Sequence, residues 1–232
     1  MVELNSPPTL SFYILWFYSC YLAVAGGAYL YSRKRFDPQR AREVRNSFIS
    51  LALYSGLSYL TAVWFGRGWT KIYLNLSDYS LLWYFCSYVV VLALHDTYFY
   101  WTHRLMHAVP LFRRLHSVHH QSVNPSPFTA HSFHPLEAIV QGVFFVLISL
   151  LIPLHWSTFL VFHLFATIIN VYGHLGFSLI GGREKQGVFR LCNHPSTHQW
   201  HHRHVDGNYT LYFTIWDFLM KTQRGHINSY DE

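Results

Sequence analysis

Residues 79–120 read YSLLWYFCSYVVVLALHDTYFYWTHRLMHAVPLFRRLHSVHH, an apolar stretch that runs directly into closely spaced histidines. Its second half contains one H-x-x-x-H and one H-x-x-H-H group, and a second H-x-x-H-H group follows near the C-terminus. Residues three and four apart on a helix share one face, so each group is expected to direct two or three imidazoles at one point. The eight histidines are His103, His107, His116, His119, His120, His198, His201 and His202. Three such groups offer more nitrogen than one metal ion accepts, which indicates a centre with several metals.

The composition and the other apolar runs indicate a membrane protein. Of the 232 residues, 51% are hydrophobic and 12% are charged, whereas soluble domains carry about 25% charged residues. Apolar runs cover residues 10–31, 48–65, 79–94, 136–152 and 154–172. Pro153 separates the last two, and both are short, so a hairpin that does not fully cross stays an alternative. We predict an all-α polytopic membrane bundle of four to five hydrophobic helices with a cytoplasmic, histidine-rich helical cap.

The placement of basic residues predicts the topology. Apart from Arg67 and Lys71, the basic residues follow the first run, surround the first two histidine groups or lie in the C-terminal region. Basic segments stay on the cytoplasmic side, so we expect the N-terminus outside and all three histidine groups on the cytoplasmic face. The expected membrane is the endoplasmic reticulum in a eukaryote and the inner membrane in a bacterium. The first run is too long for a cleavable signal peptide, and no basic residue precedes it.

The ligand chemistry narrows the class of metal site. Neutral imidazole binds zinc, copper, nickel and iron. The chain contains neither the H-E-x-x-H pattern of zinc proteases nor the E-x-x-H pairs of soluble di-iron bundles,. Three scattered cysteines without C-x-x-C argue against a thiolate site or a disulfide framework,. The pattern therefore favours two metals held mainly by imidazole in an apolar setting that suits a strong oxidant.

Several segments resemble the histidine boxes of the fatty acid hydroxylase / sterol desaturase superfamily, with the closest likeness to C-5 sterol desaturases. They are HDTYFYWTHRLMH (95–107), LHSVHH (115–120), PFTAHSFHPLE (127–137), NVYGH (170–174) and HQWHH (198–202), followed by Asn208-Tyr209 and Trp216-Asp217. The likeness covers about residues 79–222, which we take as the catalytic domain. Residues 1–78 form N-terminal membrane helices with a basic connector, and residues 223–232 form a tail. Thr210 stands where the family usually has glycine, and His194 and His204 are additional to its pattern.

The resemblance implies an oxidoreductase with two non-haem irons that uses O2 to desaturate or hydroxylate a lipid. Electrons would come from NAD(P)H through a separate small haem cytochrome or ferredoxin and its reductase. A sterol is favoured as the substrate, while fatty acyl chains, sphingoid lipids, alkylglycerols and carotenoids stay open. The implied ligand set adds His134, Asn170 and His174 to the eight histidines. The residues expected to support these ligands are His95, Asp96, His131 and Asp206, with Asp217 as a further candidate.

A rival reading is a membrane carrier without catalysis, which would bind haem or transport metal. His163 precedes His174 by eleven residues, about three helical turns, so both lie on one face, which allows a bis-histidine haem bound between helices,. A transporter would instead place ligands deep within several spans, whereas these histidines cluster near one membrane surface. His155 and His226 are expected to be surface residues.

Overall fold

The computed structural model describes residues 8–32, 37–181, 183 and 186–224, and this part of the chain is helical. Its β-pairing is limited to two isolated bridges, Tyr73 with His155 and Cys192 with Phe213. Short 3-10 segments lie at Leu76–Asp78, Pro127–His131 and Gly187–Leu191. The α-helices are α1 (Leu10–Tyr21), α2 (Gly27–Ser32), α3 (Pro38–Gly66), α4 (Leu81–Ala108), α5 (Pro110–His120), α6 (Pro135–Leu151), α7 (Trp156–Gly173), α8 (Pro195–His204) and α9 (Ile215–Leu219). A π-helical turn, Leu22–Gly26, joins α1 to α2 without a break.

Side-chain caps and prolines set the ends of these helices. The Asp37 carboxylate accepts from the backbone N–H of Arg40, 3.0 Å away, and so begins α3. The Ser80 hydroxyl accepts from the N–H of Trp83 in the same way at the start of α4. Proline occupies the first turn of α3, α5, α6 and α8, where its missing N–H costs no hydrogen bond.

Four helical segments in the described part are long and apolar enough to cross a membrane: Leu10–Ser32, Pro38–Gly66, Leu81–Ala108 and Trp156–Gly173. Their outer surfaces are apolar, as the exposure of Leu15 (67%), Leu82 (74%) and Val89 (68%) illustrates. Soluble proteins rarely expose contiguous apolar surface on this scale. The prediction of a helical membrane bundle is therefore confirmed. The 28 residues of α4 measure about 42 Å, which exceeds a hydrocarbon core of about 30 Å.

The turn between α6 and α7 joins the two short apolar runs, 136–152 and 154–172. The Lys71 N–H donates to Ser149 O (2.8 Å), and the Tyr73 N–H donates to Leu154 O (3.0 Å). The turn thus lies against the connector between α3 and α4, at the end of the bundle opposite the histidine groups. Of the two short helices, α7 is long and apolar enough to cross a membrane, whereas α6, with 17 residues, is shorter than the candidate spans.

The segment Pro127–His131 is anchored between α1 and α3 at the histidine end of the bundle. The Ser47 hydroxyl donates to Phe128 O (2.9 Å), and the Tyr21 hydroxyl donates to the same oxygen (3.4 Å). Ser126 donates to the buried Glu43 carboxylate. These bonds hold a short 3-10 segment inside the bundle, which places His131 on its inner side.

Candidate metal centre

Nine histidines meet at one end of the bundle in two separate groups. Within each group the possible ligand nitrogens all lie within 4.8 Å of one another. Group A consists of His103, His107, His116, His120 and His201, and group B consists of His119, His174, His198 and His202. All eight histidines of the three sequence motifs are therefore brought together, and His174 joins them.

The expectation that each motif points at a single place needs correction, because each H-x-x-H-H motif serves both groups. On α5, His116 and His120 belong to group A and His119 to group B; on α8, His198 and His202 belong to group B and His201 to group A. Successive residues on a helix are about 100° apart, so adjacent histidines diverge while residues four apart nearly coincide. Two helices whose histidine rings meet, as those of α5 and α8 do, can therefore each contribute to both groups.

The Nε2 atoms within each group lie at separations that suit ligands of a single ion. His103 Nε2 and His120 Nε2 both lie 3.0 Å from His116 Nε2 in group A. In group B, His174 Nε2 is 2.9 Å from His198 Nε2 and 3.4 Å from His119 Nε2. Ligands held about 2.1 Å from one ion are separated by roughly 3.0–3.4 Å in octahedral or tetrahedral geometry, so these spacings fit a metal in each group.

In five of the grouped histidines, Nδ1 makes a hydrogen bond, which leaves Nε2 as the nitrogen that can bind a metal. The acceptors are backbone oxygens or a carboxylate, so the Nδ1 atoms carry the protons and, in a neutral ring, Nε2 presents a lone pair. The donor–acceptor pairs are His103–Tyr209 O (2.8 Å), His116–Glu137 Oε1 (2.6 Å), His119–Ser132 O (3.4 Å), His174–Asn170 O (2.7 Å) and His201–Gly207 O (2.6 Å). Lone pairs that face each other at 3.0 Å repel unless a cation lies between them. The buried Nε2 atoms of His107 and His201 have no partner in the described part of the chain.

Burial lowers the pKa of the grouped imidazoles that lie outside the membrane helices, which favours their neutral form. It lowers the pKa of His120 to about 3 and that of His174 to about 4. Burial, and then the neighbouring histidines, lowers the pKa of the other grouped histidines outside the membrane helices well below the ordinary value. They are His116, His119, His198, His201 and His202. A neutral ring is the form that binds a metal.

Two of the ligands implied by resemblance lie outside both groups. His134 caps α6, where its Nδ1 accepts from the N–H of Leu136 (3.2 Å). The Asn170 amide donates to Ala130 O (2.5 Å), while its backbone oxygen accepts from His174. Both side chains are therefore engaged with backbone groups. Asn170 contributes to group B only through its backbone oxygen, which orients the His174 ring.

The supporting residues take different positions. The Asp96 carboxylate accepts from the Tyr212 N–H (2.8 Å), and His95 Nδ1 lies 2.8 Å from the Tyr212 hydroxyl. His95 and Asp96 therefore anchor the segment around Tyr212, which follows α8, and neither contacts a grouped histidine through these bonds. Asp206 is exposed and makes no hydrogen bond to a grouped histidine within the described residues, so its predicted support of a ligand stays a prediction.

Asp217 has the supporting role that Asp206 lacks. Its buried carboxylate accepts from the N–H groups of Tyr209 (3.0 Å) and Thr210 (3.1 Å), and from the hydroxyls of Thr210 (2.6 Å) and Thr222 (2.7 Å). It thereby fixes the backbone whose Tyr209 oxygen accepts from His103. The threonine that replaces the family's usual glycine adds one of these bonds.

Glu137 is the supporting residue that the sequence reasoning missed. It is 1% exposed and accepts from His116 Nδ1 in group A. A single acid inside the apolar run 136–152 is costly and therefore a functional candidate, so its position was the available signal. The roles of the backbone oxygens of Gly207, Tyr209 and Ser132 could not be predicted from the sequence, since every residue has a backbone oxygen.

The other histidines serve structural roles or face a cavity. His155 is 7% exposed and caps α7, and its Nε2 donates to Leu74 O (2.9 Å). The prediction that His155 lies at the surface is therefore wrong, whereas His226 lies outside the described residues. His194 caps α8, and His204 is exposed and stacks on Trp200.

A largely apolar cavity of about 150 Å³ lies beneath the two groups, between α1, α3, α6 and α7. Its lining on α7 extends from Trp156 to Asn170, about 21 Å along the helix axis. None of the nine grouped histidines lines it, but Phe99 and Phe133 do. Their rings contact His103 of group A (5.1 Å) and His119 of group B (5.0 Å). The cavity therefore ends one phenylalanine ring away from each group.

The fatty acid hydroxylase family model matches residues 88–222. The chain belongs to this family. Human lathosterol oxidase is 29% identical over 210 residues, which cover 88% of this chain and 69% of the relative. A Delta(7)-sterol 5(6)-desaturase of Aspergillus fumigatus is 30% identical over 213 residues, with coverages of 82% and 65%. One of Gibberella zeae is 26% identical over 193 residues, with coverages of 83% and 58%.

The chain thus spans between 58% and 69% of the length of these three relatives. No solved structure matches it. The predicted family, with its likeness to C-5 sterol desaturases, is confirmed. The relatives are oxidases and desaturases, which supports a sterol desaturase or hydroxylase function and an oxidoreductase.

Proposed function

We propose that this chain is a membrane-bound, O2-dependent non-haem di-iron enzyme that desaturates a sterol. The observation that carries the proposal is the pair of histidine groups at the end of a long apolar cavity. Each group is a set of neutral, buried nitrogen donors, a type of site that iron accepts. Two irons, when bound, would supply the activation of O2 and the oxidation of an unactivated C–H bond.

The protein's own residues supply position and an enclosed environment. Group A would hold one iron and group B the other, with His119 and His120 as neighbours on α5 that assign one ligand to each. Glu137 and the backbone oxygens of Tyr209, Gly207, Ser132 and Asn170 orient the rings. The apolar cavity binds the lipid and excludes water, and Phe99 and Phe133 determine where it meets the metals.

The carrier alternative fits the arrangement less well. The Nε2 of His174 faces His198 (2.9 Å), whereas His163 lines the cavity and lies beside His131, with ring centroids 6.4 Å apart. The two histidines therefore serve different sites, although they share a helix. A purified protein with a Soret band and no non-haem iron would support the carrier.

Metal analysis and lipid analysis test the enzyme together. The purified protein should contain about two irons per chain, and its expression should remove two hydrogens from a sterol in the lipid extract. His119→Ala should abolish the product and lower the iron content, whereas His204→Ala should leave both unchanged because His204 is exposed and outside the groups. A product with one added oxygen would indicate hydroxylation. A His119→Ala variant with full iron and activity would exclude the proposed site.

We also propose that the histidine end faces the cytoplasm, where a small haem cytochrome or ferredoxin would deliver electrons from NAD(P)H. The membrane would be the endoplasmic reticulum in a eukaryote and the inner membrane in a bacterium.

The orientation can be tested by cysteine labelling. Arg114 lies at the histidine end and Ser77 in the connector between α3 and α4 at the opposite end, and both are exposed. In a variant whose native cysteines Cys20, Cys86 and Cys192 are replaced by serine, an impermeant thiol reagent added to sealed vesicles with the cytoplasmic face outward should label Arg114→Cys and not Ser77→Cys. The reverse labelling would refute this orientation.

A further inference from the structure

Three polar side chains meet on the wall of the otherwise largely apolar cavity. His131 comes from the segment Pro127–His131, while His163 and Thr167 come from α7. The Thr167 Oγ1 lies 3.3 Å from His131 Nε2 and 3.4 Å from His163 Nε2. All three line the cavity and are buried, with exposures of 7%, 9% and 0%. We call them the polar triad.

The hydrogen-bonding capacity of the polar triad is incompletely used. The Thr167 hydroxyl can donate to one imidazole Nε2 and accept from the Nε2–H of the other. The first ring then carries its proton on Nδ1, and the second has a lone pair there. Both Nδ1 atoms are buried and have no partner in the described part of the chain. The polar triad is therefore left with one unpaired donor and one unpaired acceptor.

The surroundings restrict what can complete these bonds. Aromatic rings enclose the two imidazoles: Phe17 lies 4.1 Å from His163, and Tyr54 and Tyr21 each lie 5.9 Å from His131, between ring centroids. The cavity lining includes no lysine, arginine, aspartate or glutamate. A carboxylate or phosphate would find no counter-ion there. A neutral hydroxyl group, which both donates and accepts, matches the unpaired atoms.

The polar triad also lies near the candidate metals. The His131 ring is 6.3 Å from Phe133, whose ring is 5.0 Å from His119 of group B. A hydroxyl held at the polar triad would keep the carbons beside it close to the metal end of the cavity. The relatives act at the 5(6) position of a sterol, which adjoins the ring that carries the hydroxyl.

We propose that His131, His163 and Thr167 bind the hydroxyl group of the sterol and so orient its rings toward the metal centre. This inference rests on the proposed sterol function. It makes the polar triad a determinant of specificity, which favours a sterol over a hydrocarbon or a sterol ester of the same shape.

Binding to the purified protein tests the inference without catalysis. The probes are a fluorescent conjugated-triene sterol with a free 3-hydroxyl and its 3-methyl ether, detected by energy transfer from Trp16 and Trp156 in the cavity wall. The wild type should bind the free sterol about tenfold more tightly than the ether, the expected effect of losing hydrogen bonds to buried groups. Thr167→Val and His163→Phe should remove this preference and leave ether binding unchanged.

The matched control is Thr158→Val, which changes a buried threonine of the same helix outside the cavity lining and should keep the preference. Equal wild-type affinities for the two probes, or variants that weaken both equally, would overturn the hydroxyl site. Sterol desaturation in cells, measured in parallel, separates this outcome from failure of the proposed function. If the wild type binds neither probe and forms no sterol product, both proposals fail.

Discussion

A hydrogen-bond acceptor beside Nδ1 determines which nitrogen of a histidine ring is left for a metal. In this protein those acceptors come from Glu137 and from backbone oxygens. Glu137 is the strongest of them, since a carboxylate makes the ring more basic and fixes its orientation.

The residue-scale prediction concerns this carboxylate. Glu137→Gln keeps the size of the side chain but weakens the bond to His116 Nδ1, so the affinity for one iron should fall by about 10- to 100-fold. Iron content after dialysis against a chelator series measures it. Glu43→Gln is the control, because Glu43 is equally buried and bonds Ser126 and Gln39 outside the groups. Equal iron retention by the two variants would contradict this role for Glu137.

At the scale of elements, α5 and α8 each divide their histidines between the two groups. The sequence motif predicts that the residues act together, but the 100° step of the helix separates neighbours. Each group therefore combines histidines from several helices, and neighbours on one helix belong to different groups.

This division predicts an uneven result for double variants. His116→Ala with His201→Ala removes two ligands from group A, so about one iron per chain should remain if the groups bind independently. His116→Ala with His202→Ala removes one ligand from each group and should weaken both sites. Metal stoichiometry and the spectroscopic signature of any remaining iron distinguish the two variants. An identical loss in both would show that the motifs, and not the two groups, are the binding units.

The loop after α8 gives a second prediction at the element scale. A Cβ on Gly207 would approach Thr222 O to 2.3 Å and Arg224 Cγ to 2.4 Å. Because Gly207 O accepts from His201, Gly207→Ala should displace this acceptor and lower iron content and thermal stability, by about 1–3 kcal/mol for overpacking. In Gly56→Ala of α3, the Cβ meets nothing within 4 Å, and stability should rise by up to about 1 kcal/mol. A fully iron-loaded Gly207→Ala protein would refute the tight approach.

At the scale of the whole molecule, the bundle buries many neutral histidines at one end. Their folded pKa values lie below the ordinary value of 6.5, at about 4 for His174 and about 3 for His120. The unfolded chain therefore binds more protons than the folded chain in the window between these values and 6.5.

The sign of the pH dependence follows from that difference. Stability and iron retention should be fully present above pH 6.5 and should fall as the pH drops toward 4, because protonation of unfolded histidines favours unfolding and competes with the metal. Iron content and thermal unfolding across this range measure the effect. Loss of iron on raising the pH through 6.5 instead would contradict it.

Much of the fold and of the site follows from sequence. The apolar runs predicted the membrane bundle, because the length and hydrophobicity of a segment are local properties. The histidine motifs predicted eight of the nine grouped residues, since their spacing is helical and imidazole is a metal ligand. His174 required the family resemblance, because an isolated histidine has no pattern of its own.

Only the tertiary structure decided how those ligands are shared and oriented. The division into two groups depends on which histidines of α5 and α8 meet, and the roles of Glu137, Gly207 O and Tyr209 O depend on contacts between segments distant in sequence. His134 and Asn170 fit the motif but are used for a helix cap and a backbone bond. Sequence spacing determines which face of a helix a residue occupies, whereas packing determines what that face meets.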